Sequence, residues 1–286
     1  MTYPAPAFPK RLEIELSSDC NLRCTYCPRH YVDKLKGYID FELFKRIINE
    51  ASSYPETIIV LHRRGESMLH PKFKDILNYA AGKFKDVQMA TNATLLNKDK
   101  FDAIVGAITF LSFSMDAPES YNKTRIPAKY HIVERNILDF LDFNKGRVKI
   151  QVSLVKTENT PEKDIQIFKN IWHDKVDRVR IYEEHSKNGV FGALKAPRAV
   201  RSPCVMPIYE MLIYDDGNVG RCNHDWNGDP MGSVKSQTLY EIWNSTKYKN
   251  LREQQSSLQF TDSVCKKCDS WYPEIGNQGT GEVVEK

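Results

Sequence analysis

The chain has little net charge of either sign: 41 Lys and Arg stand against 37 Asp and Glu over 286 residues, a net charge of +4. No basic run of the kind that tracks phosphates appears, so nucleic acid is not an expected partner and the charges read as an ordinary solvated surface. Long apolar runs are lacking too. Residues 1–10 are interrupted by Pro4, Pro6 and Pro9 and hold no continuous hydrophobic segment, so neither a signal peptide nor a membrane anchor is expected and the compartment is read as cytoplasmic. Cysteine is sparse, with seven in all; under reducing conditions such residues are metal ligands more readily than disulfides.

Three of those cysteines fall in one stretch, Cys20-Asn21-Leu22-Arg23-Cys24-Thr25-Tyr26-Cys27, at the end of an apolar run. Thiolates at this spacing can converge on a cuboidal iron-sulfur cluster, which takes four ligands and so keeps one iron open for chemistry. Structural zinc is the competing reading. It favours paired knuckles with four ligands, and Cys20 has no local fourth partner.

Around this stretch the hydrophobic pattern repeats. Leu12, Ile14 and Leu16 alternate with Glu13, Glu15 and Ser17, a strand with one apolar face for helices and one polar face for a barrel lumen. A polar connection over 34–40 leads, through Tyr38-Ile39 or Asp40, into a helix over 41–51 with Phe41, Leu43, Phe44, Ile47 and Ile48 on its stripe. Further strands are expected over 57–61, 87–90, 109–115, 148–155 and 176–182. The expected helices cover 73–83, 98–105, 131–143 and 161–172, with a loop from 116 to Tyr130. Six βα units with short connections argue for parallel strands and right-handed crossovers. The expected fold is therefore α/β, a partial (β/α)6 TIM-like barrel over residues 1–185, with its site at the C-terminal ends of the strands.

The lumen parity is polar: Glu13, Glu15, Lys149, Gln151, Ser153, Arg178, Arg180 and Tyr182. Two readings stay open. Lys149, Arg178 and Arg180 pair with Glu13 and Glu15 simply to satisfy one another, or these groups hold a polar substrate, with His62, Arg63 and Arg64 extending the surface. Arg64, Lys149, Arg180 and Tyr182 are the candidates for contact with the reacting substrate.

After a linker over 186–202 a second cysteine set follows. Cys204, a strand-like run over 209–214, the turn Asp215-Asp216-Gly217-Asn218 and Cys222 fit a β-hairpin that brings the two cysteines together. Cys265 and Cys268 close a four-thiolate site across a helix over 238–254, for which zinc is again the plain alternative. Residues 186–286 thus form the linker and a small Cys-rich hairpin and helix domain; the tail over 271–286 has no assigned role and is expected to be partly disordered.

The triplet Cys20-x3-Cys24-x2-Cys27, with Tyr26 before its last cysteine, resembles the signature of the radical S-adenosylmethionine (SAM) superfamily. The resemblance implies a [4Fe-4S] cluster whose open iron is chelated by SAM, reductive cleavage of SAM to a 5′-deoxyadenosyl radical, and hydrogen abstraction from a substrate. It also implies an electron donor such as flavodoxin or ferredoxin. Gly65-Glu66-Ser67 resembles the family's Gly-Glu-Pro motif, with Ser67 for proline and Arg64 for the preceding glycine. Thr91-Asn92-Ala93 resembles its Thr-Asn-Gly. On this resemblance Tyr26, Gly65, Glu66, Ser67, Asn92, Ser114, Asp116 and Ser153 are expected around SAM, and Arg125 either pairs with the SAM carboxylate or sits in a surface turn.

Cys204-x12-Gly217-x4-Cys222 followed by Cys265-x2-Cys268 resembles the auxiliary-cluster extension called SPASM, in its shortened Twitch form with one fully ligated cluster. Met231-Gly232-Ser233-Val234 and Leu239, Ile242, Trp243 and Asn244 are similar to that extension as well. With three cysteines for one cluster and four for the other, no thiol remains to return a hydrogen atom, although a tyrosine could substitute. The combination resembles Twitch dehydrogenases that oxidise an aminocyclitol, 2-deoxy-scyllo-inosamine, with the auxiliary cluster taking the electron from a small polar substrate. Three alternatives stay open: a maturase of a ribosomally made peptide, against which only residues 1–10 precede the first strand pattern; a redox-neutral epimerase; and a catalytically silent iron-sulfur or zinc protein.

Overall fold

The computed structural model describes residues 4–32, 37–184, 201–226, 228–261, 263–268, 271 and 281–285. The first strand, β1 (Arg11–Ile14), leads into the cysteine loop, within which β2 (Arg23–Cys24) forms. Helix α1 (Phe41–Ala51) begins at its cap: Asp40 is extended and its carboxylate accepts from Leu43 N at 2.9 Å, a contact of the kind that contributes about 1 kcal/mol. Leu43, Phe44, Ile47, Ile48 and Ala51 are its buried stripe.

The alternation continues with β3 (Ile58–Val60), α2 (Phe73–Ala80), β4 (Val87–Thr91), α3 (Lys98–Ala107) and β5 (Phe110–Ser114). After them come α4 (Pro118–Thr124), β6 (Arg125–Ile126), α5 (Tyr130–Asn144), β7 (Lys149–Lys156), α6 (Glu162–Trp172) and β8 (Arg178–Glu183). Helix α4 replaces part of the loop expected up to Tyr130; Pro118 in its first turn supplies a preset φ and Glu119 an acidic group where the helix dipole favours one. The six strands β1, β3, β4, β5, β7 and β8 lie side by side, all parallel. Phe44, Phe113, Phe140, Phe168 and Trp172 are fully buried between them and the helices.

Beyond residue 200 come α7 (Met206–Tyr209), β9 (Glu210–Ile213), β10 (Asn218–Gly220), β11 (Gly232–Ser233), α8 (Leu239–Trp243), α9 (Thr246–Ser257), α10 (Ser263–Lys267) and β12 (Gly281–Glu285). The expected hairpin is β9–β10, closed by Gly217 at φ 82°. It is not detached from the barrel. Strand β9 pairs in parallel with β1, from Arg11↔Glu210 to Ile14↔Ile213, and so covers the open sheet edge that β1 would otherwise present. Glu50 of α1 fastens the next element, accepting from Leu239 N and Tyr240 N at the start of α8, both at 2.9 Å. At the other edge, the tail expected to be partly disordered contributes β12, antiparallel to β8 from Gly281↔Tyr182 to Glu285↔Arg178. The boundary read at residue 185 and most of the linker, with residues 34–36 of the polar connection, lie outside the described residues. No described helix is long and apolar enough to cross a membrane.

Candidate active site

The cysteine triplet lies beyond the C-terminal end of β1, backed by the loop after β3. Gly65 makes that approach possible: a β-carbon there would stand 2.2 Å from the carbonyl of Asp19 and 2.4 Å from that of Ser17. Glu66 N donates to Asp19 O at 2.8 Å. Arg29 grips Ser18 O through Nε and Nη2 at 3.1 and 2.8 Å, and Cys27 N donates to Cys24 O at 3.0 Å. Cys20, Cys24 and Cys27 are each half-buried. Burial pushes the Cys20 thiol up to about 11 and raises that of Cys24, which Arg125 partly opposes. Thiols in such surroundings hold their protons until a cation arrives, so this donor set fits a cluster, whose iron charge would favour the thiolates.

Arg125 is buried and not in a surface turn. Strand β6 pairs with β2 so that Arg125 stands opposite Cys24, and its guanidinium is buried against Asp116, Nε to Oδ2 at 3.0 Å and Nη2 to Oδ1 at 3.4 Å. Asp116 also accepts from Thr124 Oγ1 at 2.6 Å and Tyr26 Oη at 3.2 Å. With three side chains donating to its carboxylate, Asp116 orients Tyr26 and Arg125 around the triplet. Helix α4 makes this possible by returning Thr124 and Arg125 to the strand end.

Glu66 is buried in the same manner. It accepts from Thr91 Oγ1 and Asn92 N, both at 2.8 Å, and from Met68 N at 3.1 Å, which leaves it about one free lone-pair direction. Ser67 Oγ donates to Leu61 O at 2.7 Å and closes the loop. Asn92 Nδ2 donates to Asn21 Oδ1 at 3.0 Å and lies 3.8 Å from Cys20 Sγ, so the loops after β1, β3 and β4 form one unit. Ala93, where the resembled motif has glycine, is at φ 56°.

Register brings Ser114, Ser153 and Arg180 into one row across β5, β7 and β8, and the Arg180 guanidinium lies 5.0 Å from the ring of half-buried Tyr182. Lys149 does not join them. It is exposed at the N-terminal start of β7, the wrong end of the barrel, because a two-residue period sets the face of a side chain but not its height. Arg178 likewise sits low and pairs with Glu285 at 2.7 Å.

The lumen acids take other partners. Glu13 lies 3.7 Å from both Arg11 and Arg63, and Arg11 also meets Glu210 at 3.3 Å and Gln88 at 2.9 Å. Burial works against the Glu13 charge, but Arg63 and Arg11 hold its carboxyl below the usual range; burial, then the Glu13 charge, push Glu210 well above it. His62 Nδ1 accepts from Ala90 N at 3.0 Å, and burial lowers its pKa to about 4, so it is neutral with its proton on Nε2. Arg64, expected at the substrate, holds Glu15 through Nε at 2.8 Å and Nη2 at 2.6 Å, with Tyr214 stacked 3.9 Å from its guanidinium carbon. These contacts join β1 to the hairpin.

The second cysteine set surrounds one cavity. Cys204, Cys222, Cys265 and Cys268 line it together with Arg201 and Gln255. Gln255, which no pattern in the sequence marks, is 1% exposed; its Oε1 accepts from Cys204 N at 3.1 Å and its Nε2 donates to Cys265 Sγ at 3.4 Å. Burial, then the neighbouring cysteines, raise the Cys222 thiol strongly. Among the described residues no three His, Cys, Asp or Glu converge as a single metal ion requires. A cuboidal cluster instead takes each thiolate on a separate iron, and a shared cavity ringed by four thiols suits that need.

The sequence profile of the radical SAM superfamily matches residues 14–166. This chain belongs to the radical SAM superfamily. A second profile, the SPASM iron-sulfur cluster-binding domain, matches residues 204–269. A radical SAM enzyme of this build carries a [4Fe-4S] cluster, SAM and auxiliary iron-sulfur ligation. Among curated relatives, the tungsten-containing aldehyde ferredoxin oxidoreductase cofactor-modifying protein of Pyrococcus furiosus is 31% identical over 109 residues, 37% of this chain and 31% of that protein's own length. Among solved structures, BtrN in complex with AdoMet and 2-DOIA superposes with a TM-score of 0.62 at 17% identity, covering 93% of this chain and 97% of the other. Streptococcus suis SuiB bound to precursor peptide SuiA gives 0.70 at 13%, covering 97% and 76%. These likenesses are of fold.

Proposed function

We propose that this radical SAM enzyme oxidises a secondary alcohol of a small polar substrate of the sugar or aminocyclitol type. Cys20, Cys24 and Cys27 would hold the cluster that binds SAM, and Cys204, Cys222, Cys265 and Cys268 an auxiliary one. When bound, the first cluster and SAM supply the radical that removes a hydrogen atom from the substrate carbon. The chain's own contribution is placement. Asp116 fixes the Tyr26 hydroxyl, Glu66 and Asn92 lock the three loops around the triplet, and Ser114, Ser153 and Arg180 present a polar row to the lumen. Loss of the hydroxyl proton and one electron then completes the ketone, and the second cysteine set is the site suited to receive that electron.

The observation that carries this reading is the partition of the cysteines, three at the strand ends and four around one cavity, with no thiol left to return a hydrogen atom. The near-complete mutual coverage with the BtrN chain, whose complex holds 2-DOIA, supports a small substrate. A peptide substrate is the second reading, favoured by the SuiB complex with its precursor peptide.

The test uses reconstituted enzyme with 2-deoxy-scyllo-inosamine deuterated at the carbinol carbon, and in parallel a set of short peptides. The expected product is lighter by two hydrogens, with deuterium in 5′-deoxyadenosine and SAM consumed one for one. A product of unchanged mass carrying solvent deuterium at carbon means epimerisation and defeats the proposal; a modified peptide beside untouched aminocyclitol establishes the second reading.

A further inference from the structure

Arg63 stands between the lumen and the second cysteine set. Its side chain is 6% exposed and lies 3.7 Å from Glu13 Oε2. Through Nη2 it donates to the carbonyl oxygen of Cys222 at 3.2 Å, and through Nη1 to Asn223 Oδ1. The Tyr214 ring lies 5.9 Å away. One guanidinium therefore touches a lumen carboxylate and the backbone of a residue that lines the four-cysteine cavity.

Its carboxylate partner is not its own. Glu13 is shared, since Arg11 lies 3.7 Å from its other oxygen. Burial and the nearness of Glu13 push the carboxyl of Glu210, the second acid in the cluster, well above its usual range. Arg11 and Arg63 thus share Glu13, and Arg63 is the one that reaches the Cys222 carbonyl. Arg221, which also lines the cavity, is within 3.5 Å of Asp225 and contributes less net charge.

We propose that Arg63 is a positioning residue that raises the reduction potential of the cluster held by Cys204, Cys222, Cys265 and Cys268, by keeping a buried positive charge on the Cys222 carbonyl. The physical basis is that a reduced cluster carries one more negative charge than an oxidised one, and net charge, hydrogen bonding and solvent exposure set cluster potentials. In a poorly solvated site a nearby cation favours the reduced form far more than it would in water. The inference concerns the cluster's affinity for an electron and holds whatever the substrate is. It also gives Arg63 a second duty: it fastens the Cys222 turn to the loop that continues into Gly65-Glu66, so the two cysteine sets share one connecting segment.

The test is an EPR-monitored redox titration of the full-length holoprotein, in which the auxiliary signal is the one that SAM leaves unchanged. Arg63→Gln should weaken the one-electron reduction equilibrium of that signal about tenfold, a shift of about 59 mV to lower potential, while Arg63→Lys should retain most of the wild-type value. Asn223→Asp, which sets a carboxylate against the same guanidinium, should move the potential in the same direction as Arg63→Gln. If Arg63→Gln takes up its full iron and titrates at the wild-type potential, the proposal is wrong. If that variant fails to hold iron, Asn223→Asp decides: a lowered potential supports the proposal and an unchanged one overturns it.

Discussion

Arg64 is the cation on which the buried carboxylate of Glu15 depends, and its removal has a calculable cost. Glu15 is 0% exposed and accepts from Arg64 N at 3.0 Å, Arg64 Nε at 2.8 Å, Arg64 Nη2 at 2.6 Å and Asp215 N at 3.3 Å. Arg64→Met keeps a flexible stem against Tyr214 but deletes both side-chain donors and the countercharge. Breaking one partner out of a buried pair costs about 3–5 kcal/mol. Two backbone donors still reach Glu15, so the lower end, about 3 kcal/mol, is expected. Adding Glu15→Gln removes the stranded charge, and the double variant should recover about 2 kcal/mol of that loss. Urea unfolding of the four proteins of the cycle, under anaerobic conditions, measures both numbers. The reasoning fails if Arg64→Met unfolds within about 1 kcal/mol of wild type, the range of an exposed pair, yet abolishes turnover; Arg64 would then be working on the substrate.

Ala93→Gly should stabilise the fold by about 0.5–1 kcal/mol, the left-handed strain relieved at φ 56° less the extra chain entropy of glycine, read from the urea midpoint. Asp215, raised to about 6 by burial and then by the Glu15 charge, contributes stability that is present below its unfolded value of 3.8 and lost as pH rises through 6. Asp215→Asn should therefore unfold at higher urea than wild type at pH 7.5, by about 1–3 kcal/mol, with the difference vanishing by pH 4. His62 acts oppositely: its pKa of about 4 lies below the ordinary 6.5, so its contribution is complete above 6.5 and lost as pH falls through 4, and His62→Gln should flatten that acid limb in a pH series. Cys265→Ala with Cys268→Ala should lose about half the iron while circular dichroism stays native, because the hairpin is fastened to β1 by backbone pairing; loss of the folded signal would show that the metal is what holds the region together.

Local features were legible and partner choice was not. Helix α1 could be read to the residue because Asp40 and the apolar stripe are both written within a dozen positions. The alternation in β1 puts Glu13 and Glu15 on one face, and both are buried. Their partners, Arg11, Arg63 and Arg64, come from registers and loops that period-2 reasoning does not reach, and the lysine and arginines it offered lie on other strands, two of them at the far end of the barrel. Missing α4 had a larger consequence: with a loop in its place, nothing returned Arg125 to Asp116. The hairpin was foreseen from its turn, but a strand does not name the edge it will join, and its pairing with β1 is what joins the two cysteine sets into one sheet. Gln255 gave no signal at all, since a glutamine on a polar helix is unremarkable until its neighbours are known.

Two clusters of different ligation, one open and one closed, are the premise of everything proposed for this radical SAM enzyme, and EPR of the reduced, reconstituted protein addresses it directly. Iron near eight per chain is expected, with two resolved cluster signals of similar spin. Adding SAM should change the signal that Cys20→Ala with Cys24→Ala and Cys27→Ala removes, and leave unchanged the signal that Cys265→Ala with Cys268→Ala removes. A single signal, or two that both respond to SAM, or a colourless protein loaded with zinc, would contradict it.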